Sequence, residues 1–146
     1  MISNTCKYGI RALVYLASKT DGSGSINIKT ISRDLNLPNP FLAKILQQLV
    51  RNKILYSSKG PHGGFSFAKD PCKISIYEII SIIDGNELFE NCVIHNRTCK
   101  SADAEKLLCP IHAKFSNIRN EIIKLFRETT ISHLVESAKQ SNEIML

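Results

Sequence analysis

The sequence predicts a mainly α fold with a small β-hairpin wing: a winged helix-turn-helix domain followed by a long C-terminal dimerisation helix. Three observations predict it. Apolar residues recur at helical spacing in three successive segments of the first half. The period then drops to two on either side of a glycine-rich loop, and a helical seam returns in the last third. The charge is also lopsided. Residues 1–73 hold eleven Lys or Arg against three Asp, whereas residues 74–146 hold eight against ten Asp or Glu. A basic first half attached to a mildly acidic second half points to one end that meets a polyanion and another that does something else.

The elements follow in order. Ile10, Leu13, Val14 and Ala17 keep i, i+3, i+4, i+7 spacing and predict a first helix from about Thr5 to Ser18, which Gly22-Ser23-Gly24 breaks. Ile28, Ile31 and Leu35 mark a short second helix. Asn36-Leu37-Pro38-Asn39-Pro40 then makes a tight turn, with Asn39 as N-cap and Pro40 at the first helical position of a third helix. That helix buries Leu42, Ile45, Leu46, Leu49 and Val50. Ile54–Ser58 and Phe65–Ala68 read as two strands around the loop Lys59-Gly60-Pro61-His62-Gly63-Gly64. Ser75 and Glu78 form a capping box ahead of Ile79, Ile80, Ile82 and Ile83, and Gly85 closes that helix. Ile111, Phe115, Ile118, Ile122 and Leu125 lay a seam along a helix from about Pro110 to Thr129. Residues 131–146 read as a weak amphipathic turn and a loose tail. The expected organisation is a DNA-binding domain over 1–85, a cysteine-containing loop over 86–109, and a dimerisation helix with tail over 110–146.

With 146 residues, 43% of them hydrophobic and 22% charged, the chain suits one soluble globular domain or a small domain plus an oligomerising element. No apolar run approaches the roughly 20 residues that span a bilayer, so no membrane partner is expected. Arg11 interrupts the apolar part of the N-terminus, which therefore reads as a helix and not as a secretion signal, and a cytoplasmic location follows. An odd cysteine count in a reducing compartment favours metal or redox chemistry over a disulfide framework.

Helix, short helix, turn, helix and two-stranded hairpin is the order of a winged helix-turn-helix. The third helix can bury one face and offer the other to a major groove, where its N-terminal residues Asn39, Pro40 and Phe41 arrive first. Asn39, Lys44, Gln47 and Gln48 can hydrogen-bond base edges or phosphates. Lys29, Arg33, Arg51, Lys53 and Lys59 supply positive charge for the backbone. At the wing tip Gly60, Pro61 and Gly63 let the chain approach phosphate closely, and Lys59 and His62 meet negative charge.

The stretch from Leu37 to Gly85 resembles the Rrf2 family of bacterial winged-helix transcriptional regulators. The matching marks are YGIRALVYLA in the first helix, P-x-x-F-L-x-K-I-L-x-x-L in the third, SSKGPHGGF in the wing and I-x-x-I-x-x-x-I-D-G after it. The likeness covers about residues 1–130. It implies a homodimeric transcription factor, a repressor in this reading, whose long helices pack together and whose two winged helices bind a palindromic double-stranded operator. The family's wing tip usually opens with Arg. Lys59 stands there in this chain, keeping the charge but losing the bidentate fork.

Cys92, Cys99 and Cys109 fall between the wing domain and the long helix, where cluster-binding members of the family carry three cysteines. Their spacing is C-x6-C-x9-C, and His112 follows Cys109 at C-x2-H as the natural fourth metal ligand. The resemblance also allows a ligand from the partner's first helix, where Cys6 is the residue at hand. A thiolate-rich set suits an iron–sulfur cluster, 2Fe-2S or 4Fe-4S, or alternatively zinc. Free thiols acting as an oxidation switch, or no metal at all, are the further reading, and a purified sample can lack the group. Cys72 reads as a small packing residue, His95 as a solvated loop residue, and His133 as having no special role.

An enzyme is not expected. The chain has no G-x-S-x-G, HExxH or phosphate loop. Cys109 and His112 lack an orienting third group, and Asp84, just before Gly85, reads as a helix-end residue. An iron–sulfur carrier without DNA binding is the remote alternative, and neither the basic half nor the wing serves one.

Overall fold

The computed structural model describes residues 1–20, 24–94, 98 and 111–140, with backbone alone for residues 112 and 113. The break at Gly22-Ser23, His95, Cys99, Cys109 and the tail 141–146 lie outside the described residues. Helix α1 (Asn4–Thr20) is longer than the periodicity predicts. It buries Ala12, Tyr15 and Leu16 besides the expected stripe, because α3, α4 and α7 all pack on it. Gly9 permits the closest approach. A Cβ there would lie 2.6 Å from Ile83 Cδ1 and 3.2 Å from Ile45 Cγ2.

Asp84 does more than end a helix. Its carboxylate accepts from the Ser3 backbone N–H at 2.8 Å and also from the Ser3 hydroxyl. Ser3 Oγ in turn accepts from Cys6 N at 3.0 Å. This caps α1 and ties its first turn to the end of α4.

Helix α2 (Ile28–Asp34) is capped by Asn27, whose side chain accepts from Lys29 N. A hydrogen bond locks it to α1: Tyr15 Oη donates to Asp34 Oδ2 at 2.5 Å, and within α2 Arg33 Nε reaches Asp34 Oδ1 at 2.9 Å. These bonds, the Tyr15 hydroxyl's foremost, hold the Asp34 carboxyl below the usual range. Burial, then Asp34, push the Tyr15 phenol up to about 12. The signs differ. Tyr15 contributes stability that is complete below its unfolded pKa of about 10 and is lost as pH rises through the folded value. Asp34 contributes stability present above its unfolded pKa of about 3.9 and lost on acidification. Tyr15→Phe is expected to flatten both limbs and to cost about 1 kcal/mol at neutral pH. Urea unfolding across the pH range checks this, and a variant whose profile runs parallel to the wild type refutes it.

The α2–α3 turn buries Leu35 and Leu37 and places Asn36 at φ 52°. Helix α3 (Asn39–Arg51) corrects the expected cap: Pro38 is the cap residue, Asn39 the first helical one and Pro40 the second. Pro38 O already accepts from Phe41 N at 3.1 Å and Leu42 N at 3.0 Å, so the helix starts one residue early.

Strands β1 (Leu55–Ser58) and β2 (Gly64–Phe67) pair antiparallel, Leu55 opposite Phe67 and Ser58 opposite Gly64. Leu55 and Phe65 are buried against the helices. Ile26 bridges Phe65 on the free edge of β2. Gly64 is required there, since a Cβ would fall 2.4 Å from Ile26 O.

After a 3-10 turn at Pro71–Lys73 comes α4 (Ile76–Ile83). Only half of the expected capping box forms. Ser75 Oγ accepts from Glu78 N, but the Glu78 carboxylate takes Lys69 Nζ at 2.8 Å instead of turning back. Short α5 (Glu87–Glu90) leads to the cysteine segment, and α6 (His112–Glu128) follows it. The C-terminal reading needs correction. Residues Ile131–Gln140 form a true helix, α7, with Ile131 and Val135 buried. His133 has a role in it: Nδ1 accepts from Thr130 N and its own N–H donates to Thr130 Oγ1, both at 3.3 Å, a reciprocal cap. Cys72 is likewise not a packing residue. It is exposed, and its thiol donates to Ser132 Oγ at 3.2 Å. No described helix is long and apolar enough to cross a membrane.

Candidate nucleic-acid interface and cysteine segment

The amphipathic division of α3 creates the candidate interface. Leu42, Ile45, Leu46 and Leu49 are buried, while Pro40, Phe41, Lys44, Gln47 and Arg51 are exposed and Asn39 is half-buried. The exposed set carries two cations and an amide along one face, at the spacing that lets neighbouring turns follow a groove. Phe41 also leans its ring edge on Tyr8, with centroids 5.8 Å apart, so α1 braces the leading end of the helix. Gln48, also in the expected set, is half-buried. Its Nε2 donates to Ile82 O at 2.6 Å, which fixes α3 against α4 and turns the amide away from solvent. It sits one position round the helix from Gln47, on the flank that α4 covers.

Lys29 stands exposed at the start of α2, and Lys53 stands exposed just beyond α3 with φ 58°. The wing presents Lys59, Gly60, Pro61 and His62 to solvent. Gly60 adopts φ 106°, a conformation L side chains rarely hold. A Cβ at Gly63 would lie 2.4 Å from Ser58 O. Both glycines are thus steric requirements of the tip, whatever else they touch.

The cysteine segment starts from a defined root. Asn91, the residue after α5, pairs with Thr98 in an isolated antiparallel bridge. Cys92 follows Asn91 directly and is half-buried. Cys99 and Cys109 lie outside the described residues, and His112 is the first residue of α6. Cys6 is fully buried, and burial, then the Asp84 carboxylate, push its thiol up to about 12. Among the described residues no three or more His, Cys, Asp or Glu side chains gather into a metal site.

Helix α6 carries two apolar faces. Ile123 and Phe126 pack inward on the core. Ile111, Ile118 and Leu125 stand outward, with Ile118 at 52% and Leu125 at 59% exposure, and Phe115 and Ile122 lie between. One side chain that matters had no reading in the sequence: Arg119. Arg119 is buried, and its guanidinium lies 4.9 Å from the centre of the Phe115 ring. The i, i+4 spacing of Phe115 and Arg119 was the available signal.

Comparison with known proteins gives a consistent picture. The Rrf2 family model, described as an iron-dependent transcriptional regulator, matches residues 2–137. A relative from Aquifex aeolicus, named as an HTH-type transcriptional regulator, is 35% identical over 136 residues, covering 92% of this chain and 91% of that protein. The HTH-type transcriptional regulator IscR of Cronobacter sakazakii is 24% identical over 131 residues, covering 90% of this chain and 77% of that one. Among solved structures, CymR, the global cysteine regulator of B. subtilis, superposes with TM-score 0.74 at 23% identity, covering 94% of this chain and 97% of that one. T. potens IscR superposes with TM-score 0.71 at 18% identity, covering 100% and 93%. At those identities the superpositions speak for the fold.

Proposed function

The chain belongs to the Rrf2 family of transcriptional regulators, and from that premise we propose that it is a cytoplasmic homodimeric repressor whose hold on palindromic operator DNA is set by a metal centre in its cysteine segment. It is a DNA-binding regulator and not an enzyme. A carrier without DNA binding has no use for this family's winged helix, and that alternative falls away.

The observation that carries the reading is the exposed face Lys44, Gln47 and Arg51 of α3, together with a wing tip that exposes Lys59 and His62. Lys44 and Gln47 face base edges in the major groove. Arg51, Lys29 and Lys53 hold phosphates, and the tip glycines let Lys59 and His62 approach the adjacent backbone. The outward stripe Ile111, Ile118 and Leu125 is the apolar surface that a second copy would cover. Two-fold pairing through it would present two α3 helices to two half-sites.

The donors suit an iron–sulfur cluster. Cys92, Cys99 and Cys109 are thiolates in waiting, and His112 opens α6. Cys92 is half-buried and follows directly on Asn91, whose carbonyl accepts from the buried Arg119 guanidinium. When bound, such a cluster supplies a centre responsive to iron, oxygen or nitric oxide. Ligation by these four residues would draw the segment between α5 and α6 together. Because α6 carries the outward stripe, ordering that segment biases the distance between the two α3 helices.

The test uses full-length protein purified without air, with iron, sulfide and zinc assayed and random duplexes selected for binding. Visible sulfur-to-iron absorption, an enriched palindrome with half-sites about one helical turn or a multiple apart, and unequal affinity of loaded and stripped protein support the proposal. Cys92→Ala is expected to abolish the absorption. Equal affinities at matched salt would sink the sensing mechanism, and stoichiometric zinc without sulfide would make the centre structural. No enrichment of any duplex would overturn the operator reading.

A further inference from the structure

Arg119 is the one charged residue buried among the described residues, at 9% exposure. Its neighbours on α6, Lys114, Asn117, Asn120 and Glu121, are exposed. Burying a guanidinium is costly unless strong bonds repay the lost hydration. Two contacts offset it. Nη2 donates to Asn91 O at 2.7 Å, and the cation lies over the Phe115 ring. Charge-assisted bonds of this kind are about twice as strong as neutral ones. Asn91 is where the cysteine segment begins: the chain leaves α5 there, pairs with Thr98, and continues into Cys92.

We infer that Arg119 is a positioning residue that anchors the root of the cysteine segment to α6 and holds Cys92 half-buried, so that the first thiol is presented from one place. The inference rests on the reading of Cys92 as a ligand. It also gives that reading a physical link to the dimer. Ile118, on the outward stripe, is adjacent to Arg119, so any rotation of α6 that changes the packing of Ile118 moves the guanidinium and with it the carbonyl before Cys92.

The test compares wild-type, Arg119→Met and Arg119→Lys proteins, all full length and metal-free, by the rate at which iodoacetamide modifies each cysteine. In Arg119→Met, which keeps an aliphatic chain and loses the donors, Cys92 is expected to react severalfold faster. Cys72, exposed beside α7, keeps its rate, and Cys6 stays protected as a sign that the core is intact. Arg119→Lys restores part of the protection. Unchanged Cys92 reactivity with Cys6 still protected overturns the inference. If Arg119→Met also uncovers Cys6, the comparison passes to Arg119→Lys, where a Cys92 rate equal to wild type overturns it and a raised rate upholds it. A separate cobalt(II) titration follows thiolate-to-cobalt absorption. Affinity about tenfold weaker in Arg119→Met supports the anchor, as loss of a residue that orients a ligand normally does. Equal affinities oppose it. A wild-type protein that shows no such absorption removes the metal reading, while the alkylation pattern still decides whether Arg119 anchors the segment.

Discussion

The double variant Ile118→Glu/Leu125→Glu is expected to run as a monomer and to lose operator affinity by about two orders of magnitude or more. Both side chains are more than half exposed on α6, and neither supports the single-chain core. Burying a large aliphatic side chain is worth about 1.5–3 kcal/mol. A two-fold interface counts every residue twice, so two glutamates on the stripe place four buried charges where four apolar groups should meet. A monomer then binds one half-site, and the gain from linking two binding events, commonly about 100-fold to 10,000-fold, is lost. Sedimentation and operator titration at one salt concentration check this together. Thermal unfolding of the variant monomer should stay cooperative, because Ile123 and Phe126 still hold α6 to the core. A variant that remains dimeric and binds normally would move the dimer interface elsewhere.

The second large effect is expected at Leu46. It lies at 0% exposure in the middle of α3, on the buried face, with exposed Gln47 next to it in sequence. Leu46→Ala should cost about 2–5 kcal/mol, because a cavity is left where α3 meets the core. Against a total stability of about 5–15 kcal/mol for a domain, that is enough to lower the melting temperature by many degrees. Gln47→Ala, one residue on, should leave unfolding unchanged and weaken operator binding alone. Denaturant titration and operator binding on the pair separate the buried face of α3 from its readable face. Equal stability of Leu46→Ala and wild type would contradict the packing described.

Much of this molecule is local and therefore legible. Periodicity located α1 to α4 and α6, since a helix must bury one stripe, and the switch to period two located the hairpin. The glycines at the wing tip, and Lys59 and His62 beside them, follow from turn chemistry. The lopsided charge named the class of partner. Even the seam on α6 came from spacing alone, although spacing could not say which of its residues face inward.

Tertiary structure decided what local pattern leaves degenerate. Gln47 and Gln48 are chemically identical in the sequence, yet the carbonyl of Ile82, 34 positions away, ties the Gln48 amide to α4 while Gln47 stays exposed. Asp84 caps α1 instead of merely closing α4 because Ser3 is brought to it across 81 positions. Ile131, Leu134, Val135 and Ala138 repeat the helical spacing of α1, so α7 was legible in the sequence, and what tertiary structure adds is the apolar face of α1 against which Ile131 and Val135 are buried. Arg119 looked like any solvated arginine until the chain folded Asn91 over it. A period in sequence reports which face of an element is apolar. Which neighbour that face meets, and which polar atoms must then find partners, is settled only by contacts between residues far apart in the chain.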